Sequence, residues 1–509
     1  MPTGVSSDHA SKYQRTFMLA GILLALLVLF LTDLDPQRPQ VTYTAAIAVL
    51  MAFWWITGAL PLAVTALVPL VLFPAFGILD SADVAALYIN DTIFLFIGGF
   101  LVALAMERWD LHRRIALRLL KIFGRRPRGI LFGFMAPTFF LSMWISNTAT
   151  AMMMVPIATS VILRLEEHND AAAHERFATG LLLSIAYSAS IGGTATLVGT
   201  PPNLAFARIF ADTFPAAPEI SFATWFLFGF PLALVLLVSL WLLLAFFYCP
   251  RGSSLGLPPN LIRQQFEALG PRTGAQNVVG IAFVALALLW LTRVGLDIGS
   301  LHLPGWADLF PVPAFVGDGT VAIGVALLLF CIPAPGPRGR HILDWPTARD
   351  LPWEIVLLFG GGFALAGGFK TSGLSAYVGQ QLQVLSVLPP LLLVFAIALI
   401  MSFLTELTSN TATTQLMLPV LAALAVAIGV DPILLMVPAT LACSYAFMLP
   451  VATPPNAIIL GAGRVSVAQM ARTGLVLNMI AVVLVTVATF TLGAWMLGID
   501  LAGAPAWAR

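Results

Sequence analysis

Charge is scarce in this sequence. Asp, Glu, Lys and Arg make up 10% of its 509 residues, where soluble domains carry about 25%. With 59% hydrophobic residues and a mean hydropathy of +0.95, the composition excludes a soluble globular protein and dictates a polytopic membrane protein. Cysteine is nearly absent. Cys249, Cys331 and Cys443 are odd in number, far apart and set in apolar runs, so they read as buried small hydrophobes rather than a disulfide or metal set. No basic tract and no Cys/His cluster is present, which argues against nucleic acid and zinc, and a net charge of +1 selects no partner. A small-residue cleavage signal is also missing. Residues 1–14 are polar and precede an apolar run, the pattern of a cytoplasmic tail before an uncleaved first helix.

What is present is apolar sequence in long runs. A membrane-crossing helix needs about 20 apolar residues, and residues 17–32, 42–60, 63–78 and 92–106 supply four candidates. Residues 107–123 differ, because Arg108, Arg113, Arg114, Arg118 and Lys121 alternate at helical spacing with Trp109, Leu111, Ile115 and Leu119. That is a basic amphipathic helix lying in the interface. Residues 177–210 are apolar but interrupted by Gly192-Gly193 and Gly199-Thr200-Pro201-Pro202. Proline removes a donor and glycine loosens the helix, so one spanning helix unwound at its middle is expected. A span at 221–248 and a polar link at 250–273 follow. The second half repeats these events. Residues 278–291, 320–332 and 353–369 span, with a Pro- and Gly-rich loop at 295–318; 371–385 is an amphipathic link, 433–461 is broken near Pro450, and 473–497 closes the chain.

Two copies of one phrase organise all of this. Ser146-Asn147-Thr148-Ala149-Thr150 and Ser409-Asn410-Thr411-Ala412-Thr413 lie between short apolar segments, 130–145 with 149–165 and 390–404 with 413–428. Polar clusters there are costly unless they bond to something, so each phrase is expected at the tip of a re-entrant hairpin. Downstream come Gly199-Thr200-Pro201-Pro202-Asn203 and Ala452-Thr453-Pro454-Pro455-Asn456. Phe100 to Phe363, Ser146 to Ser409 and Pro156 to Pro419 are each 263 residues apart, and the two proline loops 253. The fold class is therefore an all-α polytopic membrane protein with eleven transmembrane helices and two re-entrant hairpins in inverted repeats. Its parts are a tail and first helix (1–41), a first repeat (42–249, hairpin 130–165), a linker (250–277), a second repeat (278–498, hairpin 390–428) and a C-terminal tail (499–509).

Orientation follows from the basic residues. With the N-terminus and first hairpin inside, every Lys and Arg except Arg38, Arg208, Arg293, Lys370 and Arg509 falls on the cytoplasmic side of the cell (inner) membrane. The repeats then have opposite topology. Inverted repeats with paired broken helices are the architecture of secondary transporters, with the site where the repeats meet.

None of the four loops contains Lys, Arg or His. Helix N-termini carry free N–H groups and partial positive charge, so they can hold a carboxylate without a basic side chain. Helix C-termini expose carbonyls that, with Asn, Ser and Thr oxygens, suit a hard monovalent cation. Ser142 and Thr405 each stand four residues before a phrase, one helical turn beneath its tip. Glu406, three residues before Ser409, is left outside the expected site. His112, His168, His174 and His341 read as solvated, and Trp54-Trp55 and Trp353 as interface anchors. No hydroxyl has a neighbouring His or Lys to activate it, which argues against an enzyme. The polar residues gather at one depth, which argues against a channel.

The doubled Ser-Asn-Thr phrase with its two Thr-Pro-Pro-Asn loops resembles the divalent anion/sodium symporter family, the INDY-type transporters, over nearly the whole chain from about Thr42. The resemblance implies a homodimer whose protomers each have a scaffold and a transport domain that slides by an elevator motion, with 107–123 and 371–385 as connecting arms. It implies that Ser146, Asn147, Thr148, Thr200, Pro201, Ser409, Asn410, Thr411, Thr453 and Pro454 face the substrate carboxylates. It also implies one sodium site at Ser142, Ser146, Asn147 and Gly199 and its mirror at Thr405, Ser409, Asn410 and Ala452, with sodium as coupling ion and no other cofactor. The soluble insert of sulfate-type relatives is absent, which tilts the substrate toward C4-dicarboxylates such as succinate, malate or fumarate. An exchanger of di- or tricarboxylates and a sulfate symporter are the alternatives of the same fold.

Overall fold

The computed structural model describes residues 7–123, 126–166, 171–249, 261–298, 301–334 and 341–508. His168, Arg125, Arg251, Arg338, Arg340, Arg509 and part of the linker (250–260) lie outside the described residues. Ten helices among the described residues are long and apolar enough to cross a membrane, and two of them are the arms of the second hairpin. The remaining eight, with the shorter apolar helices Leu62–Ala75, Asp318–Cys331 and Pro432–Ser444, equal in number the eleven passes expected from the sequence.

Each half is assembled alike. The first hairpin pairs Pro127–Ser142 with Asn147–Glu166; the second pairs Pro390–Leu407 with Asn410–Ile428. The first broken helix runs Ala171–Thr194, unwinds, and resumes at Pro201–Thr213; the second runs Pro432–Ser444 and resumes at Pro454–Gly461. Proline at the first helical position suits these restarts, since its missing N–H would have no intrahelical partner there. Both broken helices are wrapped by the hairpins and by Phe222–Tyr248 and Val467–Ala488, so their first arms are buried throughout from Phe177 to Thr194 and from Pro432 to Ser444, while the resumed segments are only partly buried. The other helices form a second layer. Within it Asp91–Arg108 packs on Asp318–Cys331, and Trp353–Ser372 packs on the helices between Pro39 and Tyr88.

The doubled Gly-Gly-Phe explains part of that packing. A Cβ at Gly98 would lie 2.5 Å from the Ala322 side chain, and one at Gly361 would lie 2.6 Å from the Ala66 Cα. The two glycines thus perform the same service in the two halves, letting a neighbouring helix approach to backbone distance. On the side away from most of the arginines, Arg208 bridges Asp91 (2.6 Å) and Asp212 (2.8 Å), and Arg293 pairs with Asp318 (2.5 Å) and with Glu219.

Several expectations need correction. The first amphipathic arm is shorter than 107–123: Asp91–Arg108 stays one helix, Asp110 turns the chain with a φ of 55°, and the arm is Leu111–Leu120. Trp54 and Trp55 are buried, donating to the Met18 and Leu62 carbonyls, because this helix end is covered by protein rather than by interface; Trp353 is exposed. His174 is buried and His112 half-buried, not solvated. Cys331 is exposed whereas Cys249 and Cys443 are buried. The loop at 295–318 holds a small antiparallel hairpin, Leu296–Ile298 with Leu301–Leu303, a local exception to the all-helical pattern.

Candidate functional site

The four loops converge. Ser146, Asn147, Thr148, Thr200, Pro201, Ser409, Asn410, Thr411, Thr453 and Pro454 all line one cavity of 570 Å³, together with Gly199 and Ala452. Of the expected site residues only Ser142 and Thr405 stand back from its wall, buried one turn behind the tips as their spacing requires. Four helices begin at this cavity, at Asn147, Pro201, Asn410 and Pro454. A helix N-terminus carries up to roughly half a unit of positive charge on its free N–H groups, which the Asn147 and Asn410 starts have and the Pro201-Pro202 and Pro454-Pro455 starts lack at their first two positions. No ionisable side chain lines the cavity, so these helix ends and the tip hydroxyls and amides are what an anion would meet.

The tips are built by capping. Ser146 accepts from the Thr148 N–H (3.2 Å) and Ser409 caps its helix through the Ala412 N–H (3.5 Å). The unwound segments are held by the asparagines of the Pro-Pro-Asn loops. Asn203 donates to the Thr196 carbonyl (2.7 Å), and Asn456 donates to the carbonyls of Ala446 and Leu449 (3.0 Å each). Thr196 and Leu449 are equivalent at the 253-residue offset, so one device closes both loops. Thr196 in turn donates to the Met143 carbonyl (2.5 Å), pinning the first unwound segment to its hairpin.

Behind the first tip, oxygens gather without donors. Ser142 Oγ and Asn147 Oδ1 are buried and have no hydrogen-bond partner. A Cβ at Gly193 would lie 2.9 Å from both Asn147 Oδ1 and the Gly199 carbonyl, which shows how closely these oxygens crowd the glycine. An unpaired buried oxygen costs about 1–3 kcal/mol, and a small hard cation is the group that this donor set suits. The mirrored oxygens behind the second tip are paired with each other. Thr405 Oγ1 is 2.6 Å from Asn410 Oδ1 and 2.9 Å from the Cys443 carbonyl.

Glu406 has a role that its position in the sequence did not reveal. Its carboxylate accepts from the N–H groups of Met448 and Leu449 (2.9 Å each) and from Asn478 (2.8 Å), tying the second hairpin to the second unwound segment. Two further hydroxyls, Ser190 one turn before the end of its helix and Ser444 at the end of its own, line the cavity and have buried, unpartnered oxygens. Their only sequence signal is a small hydroxyl in the last turn before each break. The remaining wall comes from the second layer: Trp55 to Gly58, Phe100 and Ile355.

Comparison with known proteins gives the family. The profile of the sodium:sulfate symporter transmembrane region matches residues 12–499, and the chain belongs to that family of membrane transport proteins. It is a transporter and not an enzyme. Among its relatives, the sodium-dependent dicarboxylate transporter SdcS of Staphylococcus aureus (strain MRSA252) is 42% identical over 513 residues, covering 98% of this chain and 96% of the relative. The protein of the same name from Staphylococcus saprophyticus is 41% identical over 490 residues, with 95% and 92% covered. Among solved structures, Neisseria gonorrhoeae MtrF aligns with a TM-score of 0.53 at 14% identity, covering 82% of this chain and 83% of that one. The Alcanivorax borkumensis YdaH transporter aligns at 0.52 and 12% identity, with 81% and 86% covered. These two speak to the fold alone.

Proposed function

We propose that this protein imports C4-dicarboxylates such as succinate, malate or fumarate across the cytoplasmic membrane, driven by sodium. The observation that carries the reading is the convergence of four helix N-termini on a cavity without ionisable side chains, beside buried oxygens that lack donors. The substrate carboxylates are held by N–H groups, hydroxyls and amides of the two tips and by the helix starts at Pro201 and Pro454. One sodium ion is bound by Ser142, Ser146, Asn147 and Gly199, and a second by Thr405, Ser409, Asn410 and Ala452. Sodium organises the tips, so the anion binds after it, and by linkage each ligand raises the other's affinity.

The N-terminus is cytoplasmic, as the distribution of Lys and Arg supports. Thr57, Gly58 and Ile355 then stand at the cytoplasmic ends of their helices, and a cavity walled by them is inward-open. The body carrying the hairpins and broken helices moves as an elevator against the second layer in a homodimer.

Purified protein in liposomes tests this directly. An inward sodium gradient is expected to drive succinate uptake, and potassium in its place is not. Uptake indifferent to sodium but stimulated by internal dicarboxylate would replace symport with exchange.

A further inference from the structure

A second cavity, of 370 Å³, lies on the arginine-rich side and shares no lining residue with the cavity of the four loops. Its walls are Leu111, Ile115 and Leu119 of the first arm, Phe140 of the first hairpin, and Phe283 and Val284 of the span Gly274–Leu291. Its rim carries three guanidinium groups, Arg114, Arg118 and Arg272, and no carboxylate lines it. Arg114 is largely committed to the fold, donating to the carbonyls of Leu269, Gly270 and Pro271 (3.1, 2.9 and 3.3 Å), yet its Nε is buried and unpartnered. Arg118 and Arg272 are exposed and form no ion pair among the described residues. Glu267, an acid on the neighbouring segment, is held by Arg263 at 2.6 Å.

An apolar groove with uncompensated positive charge at its mouth, in the interfacial layer of a membrane protein, is complementary to one class of molecule. We propose that it binds an anionic phospholipid, with one acyl chain in the groove and the headgroup phosphate on Arg118 and Arg272. A zwitterionic lipid offers the same chain but brings its own cation to the rim. Free phosphate offers the charge but leaves the groove empty. Each basic contact near an anionic headgroup is worth enough that losing two weakens binding by about thirtyfold. Gly280 marks the packing at the polar edge: a Cβ there would meet the Arg272 guanidinium at 3.0 Å and the Leu111 side chain at 3.7 Å, so a leucine at 280 would fill the groove and displace only flexible side-chain ends. The groove touches the arm, the first hairpin and a second-layer span, so the lipid would bridge parts that differ in their expected motion.

The test needs neither sodium nor dicarboxylate, so its failure is separate from failure of the symport reading. Delipidated full-length protein in neutral detergent is titrated with phosphatidylglycerol, phosphatidylcholine or glycerol 3-phosphate, and bound lipid is counted by native mass spectrometry alongside the melting temperature. Phosphatidylglycerol alone is expected to bind and raise the melting temperature. The Arg118→Gln/Arg272→Gln double variant should bind it about thirtyfold more weakly, and Gly280→Leu should lose it with all arginines intact. Equal binding of phosphatidylcholine, stabilisation by glycerol 3-phosphate alone, or undiminished phosphatidylglycerol binding in both variants would overturn the proposal. If the double variant does not fold, Gly280→Leu and the lipid series decide it.

Discussion

The two halves share a backbone plan and differ in how their oxygens are satisfied. In the first half Ser142 and Asn147 have no partner; in the second their equivalents Thr405 and Asn410 bond to each other. In the first half Gly193 packs against Asn147 and Gly199 against Gly193, while the 253-residue offset places Ala446 and Ala452 in the second. Glu406 ties hairpin to unwound segment in the second half, where the 263-residue offset puts Met143 in the first. There the connection is made by Thr196 to a main-chain carbonyl instead. An inverted repeat therefore preserves where helices break and leaves free the chemistry that braces each break. The oxygens behind the first tip stand unpaired, and on the proposed function a cation at the second tip would have to displace the Thr405–Asn410 hydrogen bond.

The sharpest way to break this comparison is to exchange the small residues. Gly193→Ala would place a methyl 2.9 Å from both Asn147 Oδ1 and the Gly199 carbonyl, and Gly199→Ala one 2.5 Å from the Gly193 carbonyl. Both variants are expected to lose sodium-driven uptake in liposomes. The reverse changes, Ala446→Gly and Ala452→Gly, should keep it at a cost of up to about 1 kcal/mol in stability. Similar losses on both sides would mean that the halves are equivalent after all.

Next in size is Glu406→Gln, which replaces an acceptor of three N–H groups by an amide that must turn a donor toward some of them. A destabilisation of about 2–3 kcal/mol is expected by chemical denaturation in detergent, with Met143→Leu in the first half near neutral. A third pair of variants separates open from self-paired oxygens. Ser142→Ala removes an unsatisfied hydroxyl and should raise the sodium-free melting temperature, by about 1 kcal/mol of stability. Thr405→Val orphans Asn410 Oδ1 and should lower it by a similar amount. Both should weaken the stabilisation produced by added sodium. The smallest effect is expected at the ion pairs away from the tips. Arg208→Gln breaks contacts to Asp91 and Asp212, one of them well exposed, and should change stability by no more than about 1 kcal/mol while altering the uptake rate.

Most of the site was legible because it is written twice. A doubled Ser-Asn-Thr and a doubled Thr-Pro-Pro-Asn, at fixed offsets inside apolar sequence and with the family resemblance they carry, point to twelve of the cavity-lining residues. What escaped was whatever depends on a single contact between distant segments. Glu406 meets Asn478 across 72 residues, and nothing local marks the pair. Trp54 and Trp55 end an apolar run, and that pattern reads the same whether lipid or protein covers it. His174 opens an apolar stretch of helix that other helices enclose. Ser190 and Ser444 carry no distinguishing signal, since one hydroxyl in an apolar helix usually bonds to its own backbone.

A cavity without a single titratable group has a consequence for acidity. Among the described residues the wall has no proton to gain or lose between mildly acidic and neutral solution, so a dependence of affinity on pH belongs to the cargo or to the buried Glu406 that braces the second tip. An inflection that comes from the cargo should follow the dissociation constants of whichever acid is offered, moving when a weaker diacid replaces a stronger one; one that stays put across acids and vanishes in Glu406→Gln would belong to that carboxylate.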